Sequence, residues 1–353
     1  MRVLPIEGAL ACCAVYVSIG LMCYYLFLNR EKFNSRIHIT IKKHSALIII
    51  LAILTVLSVI QSLIDPYSLQ VDRWSAIHNF LSNLLNGNYP YAAQTHLGGY
   101  GSPFPVWQLV HLPFYLIGNV GLSFVVGTLL FYDSLRRVAG VRKAFLAVLM
   151  LISSPAYLYE VMVRSDLLTN FLVVAALIFY MYLYKITPQN RWSLVAVIGG
   201  LVLATRFSAV IPLCICFFPQ FIKLHWKQQM GMLLVAALTF VLVFLPFVLW
   251  NGDMIFFFEY NPFVLQTRQG HIIDFILVAS VGIILALYCR DSLSRYTSAT
   301  AIVLLLLVII TFVHNMWVDN TWNQLFESRY DITYFNMSLP FIILSLVLTR
   351  PRH

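Results

Sequence analysis

The chain has 353 residues, 60% of them hydrophobic and 10% charged, with a mean hydropathy of +0.82 and a formal net charge of +9. Soluble domains carry roughly 25% charged residues, so this composition excludes a water-soluble fold. The positive charge does not indicate a nucleic-acid partner, because Lys and Arg are scattered between apolar runs and form no basic tract interleaved with aromatics.

In chain order the apolar runs are 5–28, 45–64, 118–134, 144–158, 167–184, 193–205, 208–222, 229–250, 272–289, 298–316 and 333–349. A helix needs about 20 apolar residues to cross the hydrocarbon core, and fewer where it ends in a cavity within protein. The expected fold is therefore all-α: one membrane domain over 1–353, a polytopic bundle of about eleven membrane helices, some short or broken. The first run is too long and too poor in N-terminal basic residues for a cleaved signal peptide, and reads as a retained helix.

Cys12, Cys13, Cys23, Cys214, Cys216 and Cys289 all lie in or beside apolar runs without paired spacing. Neither disulfide, metal nor cofactor is expected from them.

Loop 29–44 holds Arg30, Lys32, Arg36, Lys42 and Lys43, which the positive-inside rule puts in the cytoplasm. Threading onward brings Arg136, Arg137, Arg142, Lys143, Lys185, Arg191, Lys223, Lys227, Arg290, Arg295, Arg350 and Arg352 to the same side. Arg2, Arg73, Arg164, Arg206, Arg268 and Arg329 remain, and most acidic residues fall on or near the outer side.

The longest outer connection, 65–117, opens with Asp65 and then Asp72-Arg73-Trp74. Trp74, Ile77, Leu81, Leu84 and Leu85 recur at helical spacing, which predicts an amphipathic helix lying at the membrane surface. Asp72 stands where a helix cap would, and Gly87 and Pro90 end the helix. Gly87-Asn88-Tyr89-Pro90-Tyr91 and Ser102-Pro103-Phe104-Pro105 read as aromatic-rich turns, and 106–117 as a re-entrant segment interrupted by Pro113.

Further on, Arg206 interrupts an apolar stretch whose flanks are each short for a crossing, so two short helices are expected to meet at Thr205, Arg206 and Ser208. A charge at that depth is costly in lipid and faces a polar cavity by default. The remaining outer loops offer Glu160, Arg164 and Asp166, then Asp253, Glu259 and Arg268, then Asp319, Glu327, Arg329 and Asp331. Carboxylates and arginines converging on one face suit a base that activates a hydroxyl beside cations that hold a phosphate.

The early loop aspartate, the amphipathic helix, the Gly-x-Tyr-Pro-Tyr and Ser-Pro-Phe-Pro turns, Arg164-Ser165-Asp166 before a helix, and 200–206 in a broken pair together resemble the GT-C superfamily of polytopic glycosyltransferases. The resemblance covers residues 65–222. It implies inverting transfer of a sugar, mannose or another hexose, from a polyprenyl-phosphate donor to a glycan or lipid-linked acceptor on the non-cytoplasmic face. By position Asp72 matches the family's catalytic base, with Asp65 as second choice. The Asp-x-Asp pair of metal-dependent members is absent, so arginines take the leaving phosphate: Arg206 first, then Arg164, Arg268 and Arg73.

Trp74, Tyr89, Tyr91, Asp166 and Glu160 are the expected acceptor and sugar contacts, although aromatics also collect at membrane interfaces. A bacterial cytoplasmic membrane with the site facing outward is expected, or the endoplasmic reticulum in a eukaryote. A polymerase or ligase using lipid diphosphates would carry larger late outer loops. A transporter would carry mid-membrane charges and a second broken helix in a matching half.

Overall fold

The computed structural model describes residues 42–257, 259–289, 292–320 and 331–349, together with Ala14, Ser18 and Tyr25. The first expected helix, most of loop 29–44, Glu327, Arg329 and the basic residues Arg290, Arg350 and Arg352 lie outside the described residues.

In chain order α1 is Lys43–Leu63, α2 Arg73–Leu85, α3 Pro105–Val110, α4 Leu112–Leu116, α5 Ser123–Ala139, α6 Val141–Ile152 and α7 Pro155–Met162. Then come α8 Leu167–Leu183, α9 Pro188–Leu203, α10 Ile211–Phe221, α11 Trp226–Phe256, α12 Pro262–Thr267, α13 Ile272–Cys289, α14 Leu293–Val318 and α15 Leu339–Leu348. Short 3-10 turns occupy Pro66–Ser68, Pro90–Ala92, Val120–Leu122, Phe207–Val210 and Ile332–Ser338. Among the described residues there is no strand, and one isolated antiparallel bridge joins Gln94 to Tyr100.

Four helices, α1, α11, α13 and α14, are long and apolar enough to cross a membrane, and α6 with α7, bent by 66° at Ser153-Ser154-Pro155, adds a fifth if the pair is one span. Their outward faces carry exposed Ile48, Val56, Leu234, Leu242, Ile276 and Ile284, a surface that only lipid satisfies. The chain is a helical membrane protein. The count of about eleven is not reached by length, because α8, the Phe207–Phe221 segment and Ile332–Leu348 are shorter apolar helices.

The centre of the bundle is α8, buried on nearly every face through Leu167, Phe171, Leu172, Ala175, Ile178 and Phe179, as an all-round apolar helix must be. It meets α5 at Gly127, where a Cβ would stand 2.8 Å from Thr169 Cγ2. On the other side α9 approaches α11 at Gly200, where a Cβ would stand 2.6 Å from the Ala236 carbonyl oxygen. A backbone atom cannot swing aside, so Gly200→Ala should destabilise the chain by about 1–3 kcal/mol. A lowered thermal midpoint in detergent, against an unchanged one for the unobstructed Gly199→Ala, checks this.

The apolar face of α2 does not lie on lipid. Trp74, Ile77, Phe80 and Leu81 pack with Tyr91, Phe104 and Trp107 against Phe244, Phe247 and Ile255 of α11. Phe80 meets Tyr91 at 5.0 Å and Phe247 at 5.8 Å between ring centroids, so protein rings supply the partner expected from the membrane surface.

Candidate functional site

Asp72 precedes α2 but makes no side-chain cap bond. Its Oδ2 instead accepts the Thr95 hydroxyl at 2.9 Å, and Thr95 Oγ1 accepts Gly99 N–H at 3.0 Å. Because Thr95 Oγ1 receives one proton from the backbone, its own proton is free to point at the carboxylate. Gly99 lies so close that a Cβ there would be 3.2 Å from Asp72 Oδ2. Asp65, by contrast, is exposed and accepts Tyr67 N–H at 3.1 Å, capping the turn Pro66–Ser68.

Arg73 turns inward. Its guanidinium donates to Asp331 Oδ2 at 2.5 Å, Thr333 Oγ1 at 2.8 Å and Ser165 Oγ at 3.2 Å, lies 3.8 Å from Glu160 Oε1, and covers the Tyr334 ring at 5.3 Å. Glu160 is buried and serves α8, accepting Leu168 N–H at 3.3 Å while Asn336 Nδ2 donates to it at 2.8 Å. Arg73 is thus committed to carboxylates before any ligand arrives.

Burial works against charge on Asp331, yet the Arg73 guanidinium and the Thr333 donors hold its carboxyl below the ordinary value. A depressed folded-state value gives stability that is complete above the unfolded value and lost as pH falls through the folded one. Thermal midpoints should therefore decline as pH falls below the ordinary carboxylate range, and Asp331→Asn should remove that part of the decline.

Arg206 stands at the break between α9 and the turn Phe207–Val210, buried, and pairs through Nη2 with Asp166 Oδ2. Trp107 Nε1 donates to the same oxygen at 2.6 Å. Asp166 Oδ1 and Arg206 Nε are buried without a partner among the described residues. Burial opposes ionisation of Asp166, but Arg206 and Arg73 hold its carboxyl low. The break itself is pinned from two sides. Phe104 N–H and Val106 N–H donate to the Thr205 and Ala204 carbonyls at 3.0 and 3.1 Å, and Gln266 accepts Phe207 N–H at 2.8 Å while donating to the Ser102 carbonyl at 2.7 Å.

Arg206 lines a cavity of about 420 Å³ between α10, α12, α13, α14 and the turn Ile332–Ser338. Its walls along α13 run from Phe275 to Ala286, about 16 Å at 1.5 Å per residue. Cys214, Ile215, Phe218, Val303 and Leu307 make that stretch apolar. Ser102, Arg206, Ser208, Gln266, Gln269 and Tyr334 supply polar groups. The turn at Gln269 is fixed by a cluster about buried Asp274, which accepts His271 N–H at 3.0 Å and lies 2.7 Å from His314 Nδ1, while Asn315 Nδ2 donates to Gln269 O at 2.5 Å. Arg268, between the cavity residues Thr267 and Gln269, is exposed and has no ion pair among the described residues.

The other expected site residues go elsewhere. Arg164 donates to the Gln61 and Ile64 carbonyls at 3.2 and 3.1 Å, closing the end of α1. Trp74 and Tyr91 are in the packed interior between α2, α3 and α11, and the Tyr89 hydroxyl donates to the Phe247 carbonyl at 3.3 Å. Asp166 and Glu160 hold Arg206 and the start of α8. Thr95, Gln266 and Tyr334 join the site without any signal in the sequence, since each acts through a contact distant along the chain. Among the described residues no group of three His, Cys, Asp or Glu is arranged to hold a metal ion. Compared with protein-family models, with curated proteins and with solved structures, the chain matches none.

Proposed function

We propose that this chain is a membrane-embedded glycosyltransferase of the GT-C type, which takes a hexose from a polyprenyl-phosphate donor and passes it, with inversion, to a glycan or lipid-linked acceptor. The observation that carries the reading is the cavity: a mostly apolar slot lined by the buried Arg206, with the loop that holds Asp72 running on through Ser102 into its lining. An isoprenoid tail would fill the slot, burying apolar area at about 25 cal/mol per Å², and its phosphate would meet Arg206 and Arg268. Asp72, with one oxygen held by Thr95 and the other without a hydrogen bond among the described residues, would take the acceptor's proton as the sugar's anomeric carbon is attacked. The departing phosphate would remain on the arginines.

In this reading the shorter apolar helices complete a bundle of about eleven membrane helices. Residues 65–117 face the non-cytoplasmic side of a bacterial cytoplasmic membrane, or of the endoplasmic reticulum.

Binding tests the slot without knowledge of the sugar. Native mass spectrometry of the purified chain with polyprenyl monophosphate should show a bound lipid that polyprenol of equal length does not displace. Cys214→Trp, which fills the slot, should weaken that binding at least about tenfold, the size of effect expected from losing one large buried apolar contact. Equal binding by the tryptophan variant would remove the slot from the account.

A further inference from the structure

Loop 94–100 presents two different sides. Gln94 pairs with Tyr100 across the antiparallel bridge, and Thr95 N–H donates to the Gly99 carbonyl at 2.7 Å. Thr95 is buried and carries its hydroxyl to Asp72, whereas Gln94 is exposed and its Nε2 donates to the Tyr100 hydroxyl at 2.9 Å. The Tyr100 ring meets the Tyr260 ring edge to face at 4.6 Å and 72°. Tyr260 belongs to the connection between α11 and α12, one residue before Asn261, which caps α12 by accepting Phe263 N–H at 2.9 Å. The tyrosine pair therefore joins the loop that holds Asp72 to the helix that carries Gln266 to the cavity.

We propose that Tyr100, Tyr260 and Gln94 form the platform on which the acceptor sugar rests, an assignment that deepens the transferase reading and depends on it for the word acceptor. A pyranose offers an apolar C–H face bordered by hydroxyls. An edge-to-face tyrosine pair leaves ring surface free for that face, and two phenols and an amide border it with donors and acceptors. The two rings pack edge to face and the Tyr100 hydroxyl is held by Gln94, so little rotamer entropy remains to be lost on binding. Trp74 and Tyr91 cannot compete for the role, because protein already covers them.

The test uses the full-length chain in nanodiscs, with the native cysteines replaced and Glu259→Cys added beside Tyr260 as a reporter for a water-soluble maleimide. The probes are methyl hexosides of gluco, galacto and manno configuration, their dihexosides, and phosphocholine as the lipid-headgroup control. At least one hexoside should slow labelling threefold or more while phosphocholine does not. The protection should vanish with Tyr260→Ala or Gln94→Ala and persist with Tyr260→Phe. Protection by no hexoside, equal protection by phosphocholine, or protection that survives Tyr260→Ala would overturn the platform. Polyprenyl-phosphate binding, read separately, tells the two failures apart: lipid binding without sugar protection sinks the platform alone, and sugar protection without lipid binding sinks the transferase reading alone.

Discussion

Arg206→Ala should lower stability by about 3–5 kcal/mol and weaken binding of polyprenyl phosphate about 10- to 100-fold. The stability loss comes from Asp166, which is 2% exposed and would keep the Trp107 indole as its one side-chain hydrogen bond among the described residues, with Arg73 as a more distant charge. A buried carboxylate stripped of its counter-ion is among the most destabilising point defects. The binding loss comes from the same guanidinium, as a hydrogen bond to a charged group contributes about 1.5–3 kcal/mol. Two further variants separate these effects. Arg206→Met with Asp166→Leu removes both charges and should recover most of the stability, yet binding should stay weakened. Arg206→Lys keeps the charge but not the planar fork, and should fold while binding lipid phosphate more weakly. Thermal unfolding and native mass spectrometry on the same preparations read both quantities. Restored lipid binding in the doubly neutral variant would leave Arg206 as a partner for Asp166 and nothing more.

Asp72→Asn should do the reverse, leaving stability within about 0.5 kcal/mol of wild type and lowering sugar transfer by about 10²- to 10⁴-fold. An aspartate at the start of a helix is expected to hold first-turn amides, and losing such a cap costs about 1 kcal/mol. Here the side chain caps nothing. An asparagine can still accept the Thr95 hydroxyl through its own oxygen, so loop 94–100 keeps its anchor while the base is lost. A variant that transferred sugar normally would reduce Asp72 to an anchor for Thr95.

How far the sequence could be read follows from which contacts are local. The run 272–289 coincides with α13, Ile272–Cys289, and the expected break at Thr205-Arg206 is the junction of α9 with the turn before α10, because apolar runs and their interruptions are properties of neighbouring residues. The periodicity of Trp74, Ile77 and Leu81 correctly marks the buried face of α2, whereas Leu85 on the same stripe is 54% exposed. Hydropathy does not distinguish burial in lipid from burial in protein. α8 is as apolar as a lipid-exposed span, yet twelve of its 17 residues are buried within the protein, which is one reason apolar runs outnumber helices long enough to cross.

The partners of the arginines were less legible still. Arg164 and Arg206 both fall between apolar runs in the sequence, but one closes the end of α1 and the other pairs with Asp166 at the cavity. That difference depends on residues 40 to about 100 positions away. The tyrosines show the same limit. Tyr89 and Tyr91 sit in the most conspicuous aromatic turn, but Tyr91 is spent on packing, while Tyr100 meets a partner 160 positions further along the chain.

The most direct measurement is transfer of label from radiolabelled polyprenyl-phosphate hexoses by purified wild type and Asp72→Asn, both verified as folded and inserted in nanodiscs, with membrane glycolipids and hexosides supplied as acceptors. The account predicts a labelled glycan with wild type, its loss with Asp72→Asn, and indifference to chelator. Equal transfer by both proteins would contradict Asp72 as the base, and no transfer by a wild type that binds the lipid phosphate would contradict the glycosyltransferase itself.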